Sequence, residues 1–377
     1  MKIYGITGTN GKTTTTWILD TFLGGGGYLT TVEANTGRRR FSTGYTTPPL
    51  PVLKEIFAEM ESAGCATCVM EVSSHAIHQH RTGDTVFAGG GFTNLTEDHL
   101  DYHKTMEAYF QVKADFFRRL AESTPGAPAS ICVDGEYGQR LAEICRSLPL
   151  RTIKCGLSVD GGIQELGQHD CQDVRDVGDL RVIIEDKCPL VGRYNVQNVL
   201  VAAALARGAG VPLADIVAKI PSLTPRWGRL ERVATRSAAD VFVDYAHTDD
   251  ALANVLSTVR EFTKGKVWAV FGAGGDRDRA KRPLMGAAAA ANADLLVVTS
   301  DNPRSEDPQS IIEQIVAGIP AGTDFVTEPD RAAAIRYALA HAAAGDTVVV
   351  CGKGHETTQT IGDKIIHFDD RETCAQY

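Results

Sequence analysis

Short apolar runs alternate with longer helical stretches along nearly the whole chain. Apolar runs of four to eight residues next to turn residues are typical of buried strands. The predicted strands are Lys2–Thr7, Thr67–Val72, Val241–Tyr245, Val267–Phe271, Asp294–Thr299 and Thr347–Cys351. The predicted helices are Thr13–Leu23, Met106–Leu120, Val196–Arg207, Asp250–Phe262 and Ser310–Ala317. This alternation indicates βαβ units and therefore an α/β fold with mostly parallel sheets.

Two stretches interrupt the alternation. The segment Pro221–Arg226 contains Pro-Ser-Leu-Thr-Pro between two helical regions, which predicts a boundary between units 1–224 and 225–377. The stretch 156–186 is polar and has no clear period. It is either an insertion or a small antiparallel unit.

Composition and charge restrict the class of protein. The 377 residues are 43% hydrophobic and 23% charged, which is typical of a globular chain and excludes a disordered one. The net charge of -9 argues against a broad nucleic-acid surface. No apolar run approaches the roughly 20 residues that span a bilayer, and Met1–Gly5 lacks the shape of a signal peptide.

The cysteines favour a reducing, cytoplasmic location. There are nine of them, an odd number scattered along a long chain. Cys65 and Cys68 have CxxC spacing, but no second pair completes a zinc site. We expect both to be buried strand thiols rather than redox or metal-binding groups.

A glycine-rich segment follows the first predicted strand and precedes the first predicted helix. Its residues are Gly8, Thr9, Asn10, Gly11, Lys12, Thr13 and Thr14. Such a turn lets backbone N–H groups close on phosphate oxygens, while Lys12 supplies a positive charge and Thr13 a hydroxyl for a bound Mg²⁺. The strict phosphate-loop pattern fails, because Ile6 stands where it needs glycine. We still expect this segment, called the phosphate loop below, to bind phosphate rather than to be a strand-to-helix turn without chemistry.

Charged side chains follow the strand Thr67–Val72. Glu71 lies near its carboxyl end, where ligands gather in parallel sheets, and a carboxylate is a suitable ligand for a metal bound to phosphate. The alternative is an exposed residue at a strand end. Arg81 can bind a carboxylate through two hydrogen bonds.

The segment 97–103 holds three acids and two histidines. Without cysteines or a regular histidine pair, it favours a role in binding a hard metal or in hydrogen bonding over a closed zinc site. A solvated helix start is the alternative. Lys113 follows in a stretch rich in aromatic residues, and the pattern alone predicts a surface lysine whose stem packs on apolar neighbours.

Polar clusters follow four strands of the second unit. They are Asp244–His247, Gly272–Asp278, Asp301–Arg304 and Gly352–Glu356. In one parallel sheet these ends would face one crevice. Arginines there can hold a carboxylate and acids can hold an ammonium, which suits a zwitterionic amino acid with a further charged end.

These segments stand in the order seen in the Mur ligases, which the chain resembles over nearly all of its length. The matching segments are GTNGKTT, EVSSH, FTNLTEDHLDYH, GRYNVQN, DYAHT, GGDRDRAKRP, DNPR and GKGHE. The resemblance is strongest to the MurE type, which adds the third residue of the peptidoglycan stem peptide. It implies a central P-loop ATPase domain over 1–224, a C-terminal Rossmann-like, amino-acid-binding domain over 225–377, and ATP-dependent amide synthesis through an acyl phosphate.

The resemblance also assigns roles to residues. It implies catalytic roles for Lys12, Lys113, His99 and His247, and Mg²⁺ binding by Thr13, Glu71, His99 and a carbamylated Lys113. Beyond the glycine-rich segment, the implied ATP contacts are Asn195, Asn198, Arg229, Asp244 and Tyr245. The implied muramyl-dipeptide contacts are Thr46, Thr47, Ser73, Gln79 and Arg81. The implied amino-acid contacts are Arg277, Asp301, Asn302, Arg304, Gly352 and Glu356.

The Asp-Asn-Pro-Arg segment is similar to the meso-diaminopimelate form of this loop. Arg304 fits a distal carboxylate that lysine lacks, so meso-diaminopimelate is favoured over L-lysine. The expected partners are small-molecule substrates, with no nucleic acid and no membrane, and the expected state is a monomer.

The start of the chain departs from the family pattern. MurE-type ligases carry an additional N-terminal domain for the UDP end of the acceptor, whereas here a strand is predicted from Lys2. We therefore expect this domain to be missing. The alternatives are a fragment of an ordinary ligase, a short ligase for a UDP-free acyl or peptide substrate, and an ATP-binding module without catalysis. A folylpolyglutamate synthase-like ligase is disfavoured by the Asp301–Arg304 and Gly352–Glu356 segments.

Overall fold

The computed structural model describes residues 1–166, 178–224 and 228–377. It divides into two compact units, Met1–Thr224 and Pro225–Tyr377. Residues 225–226 of the predicted boundary and residues 167–177 of the polar stretch lie outside the described residues.

A mixed, mostly parallel sheet forms the centre of the first unit. Its described strands are β1 (Lys2–Thr7), β2 (Gly27–Leu29), β3 (Ala34–Asn35), β4 (Arg40–Phe41), β5 (Thr67–Glu71), β6 (Phe87–Phe92), β7 (Pro128–Cys132), β8 (Arg151–Cys155) and β9 (Ile163–Glu165). Their spatial order is β4-β3-β2-β5-β1-β6-β7-β8-β9. The strands from β2 to β8 in this order run parallel, which brings their carboxyl ends to one edge.

Helices connect and cover these strands. They are α1 (Lys12–Phe22), α2 (Leu50–Ser62), α3 (Ser74–His78), α4 (Leu100–His103), α5 (Met106–Ser123), α6 (Glu136–Arg146), α7 (Leu180–Lys187), α8 (Arg193–Gly208) and α9 (Leu213–Lys219), followed by a 3-10 turn at Ile220–Ser222. Helix α8 is buried on nearly all sides because Val199–Ala206 is an unbroken apolar run. It packs on α1 and β7, so it supports the segment that follows β1.

The second unit contains a second, mostly parallel sheet. Its strands are β10 (Glu231–Arg232), β11 (Asp240–Asp244), β12 (Val267–Phe271), β13 (Leu295–Thr299), β14 (Phe325–Glu328) and β15 (Thr347–Cys351), with a separate hairpin of β16 (Thr358–Ile361) and β17 (Lys364–His367). The spatial order is β10-β11-β15-β12-β13-β14, and only β10 pairs antiparallel among these described strands. The helices are α10 (Asp249–Phe262), α11 (Lys281–Asn292), α12 (Pro308–Val316), α13 (Arg331–His341) and α14 (Asp370–Gln376).

The predicted α/β class is confirmed, and the predicted strands agree with the structure within one residue at each end. The polar stretch is only partly as predicted. It contributes an antiparallel strand, β9, but it also contains α7. Helix α7 is short, with eight residues, and its buried residues are Leu180 and Ile184. Among the described residues, none of the helices has the length and apolar character required to cross a membrane.

The two cysteines of the CxxC pair lie in different surroundings. Cys68 lies in β5 and is fully buried, as predicted. Cys65 lies in the turn before that strand and is half-buried, so its prediction as a strand thiol was wrong. Burial raises the pKa of both thiols. Both groups are therefore protonated at neutral pH and poor metal ligands.

Candidate active site

The glycine-rich segment forms a tight loop between β1 and α1. Gly8 and Gly11 have φ angles of 150° and 83°, which residues with a Cβ rarely adopt. A Cβ on Gly8 would lie 1.9 Å from the Thr93 hydroxyl oxygen. The side-chain amide of Asn94 bonds both backbone groups of Asn10. Its Oδ1 accepts from the Asn10 N–H at 2.9 Å, and its Nδ2 donates to the Asn10 carbonyl oxygen at 3.2 Å. The end of β6 therefore holds the loop in shape.

Thr93 and Asn94 were not among the predicted site residues. Their only signal in the sequence is their position directly after an apolar run, within FTNLTEDHLDYH. The parallel pairing of β1 with β6 brings that run beside the loop.

Two lysines converge on the carbonyl oxygen of Gly8. Lys12 Nζ donates to it at 3.1 Å and to the Thr9 carbonyl at 2.7 Å, and Lys113 Nζ donates to it at 2.8 Å. Lys113 is only 1% exposed and lies over the Tyr109 ring. The surface lysine predicted from the pattern alone was therefore wrong. Burial, and then the neighbouring Lys12 cation, hold the pKa of Lys113 well below its usual value.

Glu71 lies at the carboxyl end of β5 and is 1% exposed, so the exposed alternative was wrong. Its carboxylate accepts hydrogen bonds from the Thr13 hydroxyl at 2.7 Å and from the Thr31 N–H at 2.8 Å. The Thr31 hydroxyl also contacts it at 3.2 Å and lies 2.9 Å from the Thr46 hydroxyl. This set of oxygen atoms next to the phosphate loop has the chemistry that Mg²⁺ prefers.

Within the described residues, no three His, Cys, Asp or Glu side chains form a group that could hold a metal by themselves. A metal at Glu71 would therefore draw on the Thr13 hydroxyl, on phosphate oxygens and on water. Such a partly hydrated site is typical of Mg²⁺ bound with a nucleotide.

The predicted dipeptide contacts lie together beside Glu71. The Thr47 hydroxyl donates to the Glu71 carbonyl at 2.8 Å and accepts from the Ser73 N–H at 3.0 Å. Arg81 donates to the Gln79 side chain at 2.9 Å and to the Thr47 carbonyl at 3.4 Å. These hydroxyl groups and Arg81 therefore lie together beside Glu71, and an arginine is a suitable partner for a carboxylate.

His99 has a φ of 56° and lies 3.5 Å from the Asp98 carboxylate. Its ring centroid is 4.9 Å from that of His75, while His103 is buried and stacks on Tyr109. The alternative of a solvated helix start is therefore wrong for His103. Burial of the His99 ring away from water lowers the pKa of His99 to about 4. At neutral pH this ring is therefore uncharged and has a nitrogen lone pair.

Asn195 and Asn198 are buried on α8 and lie against the start of α1. The Thr15 hydroxyl donates to Asn198 Oδ1 at 3.2 Å, and Asn198 Nδ2 donates to Asn195 Oδ1 at 3.2 Å. A Cβ on Gly11 would lie 2.2 Å from Asn198 Oδ1. These predicted ATP contacts thus support the phosphate loop directly. Thr14, also predicted, lies half-buried in the first turn of α1.

The predicted ATP contacts of the second unit cluster at the end of β11. Buried Asp244 accepts a hydrogen bond from the Leu230 N–H at 2.6 Å. Burial raises the pKa of Asp244, against the opposing effect of the Arg229 cation. The Arg229 guanidinium lies 4.6 Å from the centre of the Tyr245 ring, and His247 Nδ1 donates to the Tyr245 carbonyl at 2.9 Å. The stacked cation and ring form a planar surface that suits a base or a ribose.

The predicted amino-acid contacts occupy loops after neighbouring parallel strands. Asn302 Nδ2 donates to Glu356 Oε2 at 2.8 Å, which joins the loop after β13 to the loop after β15. A Cβ on Gly352 would lie 2.5 Å from Asp301 Oδ2, so the glycine permits that close approach.

Two arginines flank Gly274 in the same region. Arg304, with a φ of 51°, donates from Nη1 to the Gly275 carbonyl at 2.7 Å. Arg277 donates to the carbonyl of Asp276 at 3.0 Å. Both keep further N–H groups that can bind a carboxylate.

Arg331 was not predicted as a site residue, yet it ties two of these loops together. It is 1% exposed and donates twice to the Asp370 carboxylate, at 2.8 and 2.7 Å. It also donates to the carbonyls of Ser300 at 3.2 Å and Cys351 at 2.9 Å, at the ends of β13 and β15. An arginine at the start of an ordinary helix has no recognisable signal in a single sequence.

Comparisons with known proteins match both units of the chain. The model of the Mur ligase middle domain matches residues 6–206, and that of the Mur ligase glutamate ligase domain matches residues 228–354. The chain is 43% identical over 389 residues to the UDP-N-acetylmuramoyl-L-alanyl-D-glutamate--2,6-diaminopimelate ligase of Synechococcus sp. (strain WH7803), covering 100% of this chain and 77% of that protein. It is 42% identical over 383 residues to the ligase of the same name from Geobacillus thermodenitrificans, covering 98% of this chain and 77% of that one.

Solved structures show the same fold. A structure of a ligase of that name aligns with a TM-score of 0.59 at 30% identity, covering 99% of this chain and 77% of the other. Mycobacterium tuberculosis folylpolyglutamate synthase, complexed with ADP, aligns with a TM-score of 0.65 at 20% identity, covering 93% of this chain and 87% of the other. The second likeness shows the fold alone. Taken with the two domain matches and the 43% identity, these results show that the chain belongs to the Mur ligase family.

Proposed function

We propose that this chain joins meso-diaminopimelate to the D-glutamyl carboxylate of UDP-N-acetylmuramoyl-L-alanyl-D-glutamate, with conversion of ATP to ADP and phosphate. The main support is its 43% identity, over 100% of the chain, to a ligase named for this reaction. In the reaction a carboxylate oxygen attacks the γ-phosphorus and ADP leaves. The substrate amine then attacks the acyl carbon, phosphate leaves, and the nitrogen loses a proton.

The first unit would bind the phosphates. The loop N–H groups and the N-terminus of α1 favour negative charge, and Lys12 adds a cation at the same place. Phosphoryl transfer depends mainly on positioning and charge neutralisation, which the loop and Lys12 would provide. Thr47 and Arg81, beside Glu71, would hold the carboxylate that is to be phosphorylated.

The residues present fit Mg²⁺. Glu71 and Thr13 would hold it, and His99 lies in the same unit with an uncharged ring at neutral pH. When bound, Mg²⁺ neutralises charge on the phosphate oxygens. A buried carboxylate that already bonds a threonine hydroxyl keeps lone pairs for a cation.

Lys113 would act as a carbamate. Burial and the Lys12 cation lower the pKa of Lys113, which favours the uncharged amine, and an uncharged amine can attack CO₂. A nitrogen–carbon bond then forms and one proton is released, so that a neutral group becomes an anion. The carbamate nitrogen keeps one N–H, which can still donate to the Gly8 carbonyl that Lys113 contacts now.

The second unit would bind the incoming amino acid. Asp301 and Glu356 can accept from an ammonium group, and Arg304 can bind the distal carboxylate of diaminopimelate. Lysine has no carboxylate at that end, so its binding would leave the guanidinium without an anionic partner. A site built for such a contact discriminates strongly against a ligand that lacks it.

The experiment is a phosphate-release assay with ATP, Mg²⁺ and the UDP-linked dipeptide. We expect release that depends on meso-diaminopimelate and a product whose mass shows one added residue. Equal release with L-lysine would contradict the proposed amino acid. Since the chain spans 77% of the length of its relatives, a parallel assay with UDP-free dipeptide tests the acceptor. Equal rates on both acceptors would contradict a role for the UDP group.

A further inference from the structure

Lys353 is a buried lysine in the middle of the candidate amino-acid site. Its side chain is 0% exposed, whereas lysine is almost never fully buried unless it is paired. Its Nζ donates to the Thr358 carbonyl at 2.5 Å, to Glu356 Oε2 at 3.1 Å and to Asn302 Oδ1 at 3.4 Å. An ammonium group has three N–H donors, so all three are used within the protein. Lys353 therefore has no donor left for a ligand.

The side chains that Lys353 bonds also bond each other. Asn302 Nδ2 donates to Glu356 Oε2 at 2.8 Å, and Asn302 Oδ1 accepts from the Thr360 N–H at 3.0 Å. Glu356 Oε2 thus accepts two hydrogen bonds, and both ends of the Asn302 amide are engaged. This closed triangle holds each group in one orientation.

The triangle leaves one carboxylate oxygen for a ligand. Glu356 Oε1 accepts no hydrogen bond from the described residues, and the side chain keeps 31% of its surface exposed. An ammonium group is the natural partner for a carboxylate oxygen held in this way.

We propose that Lys353 is a positioning residue for the incoming diamino acid. It holds Glu356 so that Oε1 meets the substrate ammonium. This inference rests on the proposed function, because it needs an amino-acid substrate at these loops. Lys353 itself touches no substrate and acts through Glu356.

Two effects of Lys353 on the site have opposite signs. Its positive charge weakens the attraction of Glu356 for a cation, whereas its hydrogen bonds keep Glu356 in place. If charge dominated, removing Lys353 would lower the KM for the diamino acid. If orientation dominates, as we propose, removing it raises that KM, because Glu356 must be ordered again at each binding event.

The test compares Lys353→Met with Lys264→Met, a change at an exposed lysine before β12, at the opposite end of the strand from the site loops. We expect the KM for meso-diaminopimelate to rise roughly 10- to 100-fold in Lys353→Met, as for the loss of a hydrogen bond to a charged group. The KM for ATP should stay within about twofold. Lys264→Met should match the unmodified chain in both.

A double-mutant cycle separates positioning from general damage to the fold. If Lys353 acts through Glu356, the KM of the double variant Lys353→Met, Glu356→Gln for the diamino acid should be no higher than that of Glu356→Gln alone. Melting temperatures are measured for every variant. Lys353→Gln, which keeps an amide donor, provides a second variant if the methionine variant does not fold, and it should show the same defect in KM to a smaller extent.

The outcomes distinguish this inference from the proposed function. An unchanged or lowered KM for the diamino acid in a folded Lys353 variant, or additive effects in the cycle, would overturn the inference while the function stands. If the unmodified chain shows no turnover with meso-diaminopimelate, the proposed function is overturned and the inference falls with it.

Discussion

Lys113 donates a hydrogen bond to the carbonyl oxygen of Gly8 at 2.8 Å, although 105 residues separate the two in the chain. This bond ties helix α5 to the phosphate loop. It also places a buried amine of lowered pKa beside the Lys12 cation. A second, uncompensated cation here would be unfavourable, so the site favours the uncharged form of Lys113.

We therefore expect Lys113→Ala to lose most of the turnover, by about 100-fold or more if a charge-bearing ligand is removed. Acetate or formate should restore part of the activity, because a small carboxylate can occupy the space of the carbamate. Phosphate release measured with and without added acid tests this. Lys54→Ala, at an exposed lysine of α2, is the control. A normal rate of phosphate release by Lys113→Ala would show that Lys113 has a structural role and takes no part in turnover.

Lys12→Ala should abolish phosphate release, since Lys12 is the cation of the phosphate loop. Two of its hydrogen bonds, to the Gly8 and Thr9 carbonyls, lie within the loop itself, and we expect the variant to fold. Turnover and thermal unfolding are measured on the same preparation. Phosphate release at the normal rate would exclude the proposed role.

Arg304→Ala should raise the KM for meso-diaminopimelate by roughly 10- to 100-fold, because a charge-assisted contact to the distal carboxylate is lost. The KM for L-lysine should change much less. Steady-state kinetics with both amino acids measure the difference, and Arg336→Ala, at an exposed arginine of α13, is the control. Equal effects on the two amino acids would remove the structural argument for diaminopimelate.

Arg331→Met should destabilise the protein by about 3–5 kcal/mol, because it leaves the buried Asp370 carboxylate without its partner. The double variant Arg331→Met, Asp370→Leu should recover much of this loss, since no buried charge is then unpaired. Urea unfolding measures both. If the double variant is as unstable as the single one, the bonds of Arg331 to the Ser300 and Cys351 carbonyls matter more than the ion pair.

Stability should fall in mild acid through His103. Burial lowers the pKa of His103 to about 4 from an ordinary value of 6.5. Between these two pKa values the unfolded chain binds the proton and the folded chain does not. The contribution of uncharged His103 to the free energy of unfolding is therefore complete above about pH 6.5 and is lost as the pH falls toward 4.

His103→Gln removes this titration while keeping a group that can bond the Ser74 hydroxyl. We expect the urea midpoint of this variant to decline less than that of the unmodified chain between pH 7 and pH 5. His341→Gln, at an exposed histidine of α13, should leave the decline unchanged. An equal decline in the unmodified chain and in His103→Gln would show that other groups cause the acid sensitivity.

Six of the strands, and the phosphate loop, could be predicted because their signals are local. The run Lys2–Thr7 followed by Gly8 and Gly11 predicts a strand and a turn through spacing and backbone freedom alone. Helix α7 was missed because it has only eight residues, fewer than the roughly 11–18 over which a helical period of apolar residues can be recognised. The family resemblance, rather than spacing, supplied the roles of individual residues such as Asn302.

The α/β class and the loops that contain the polar residues follow from the chain alone, since strand period, glycine and charge act within a few residues of one another. The burial of Lys113 and Lys353 follows only from the folded protein. The same holds for the bond of Asn94 to the phosphate loop and for the contacts of Arg331 with two strand ends. These properties depend on which distant segments exclude water from a group. Burial and the hydrogen bonds that compensate it are set by packing rather than by neighbours in the chain.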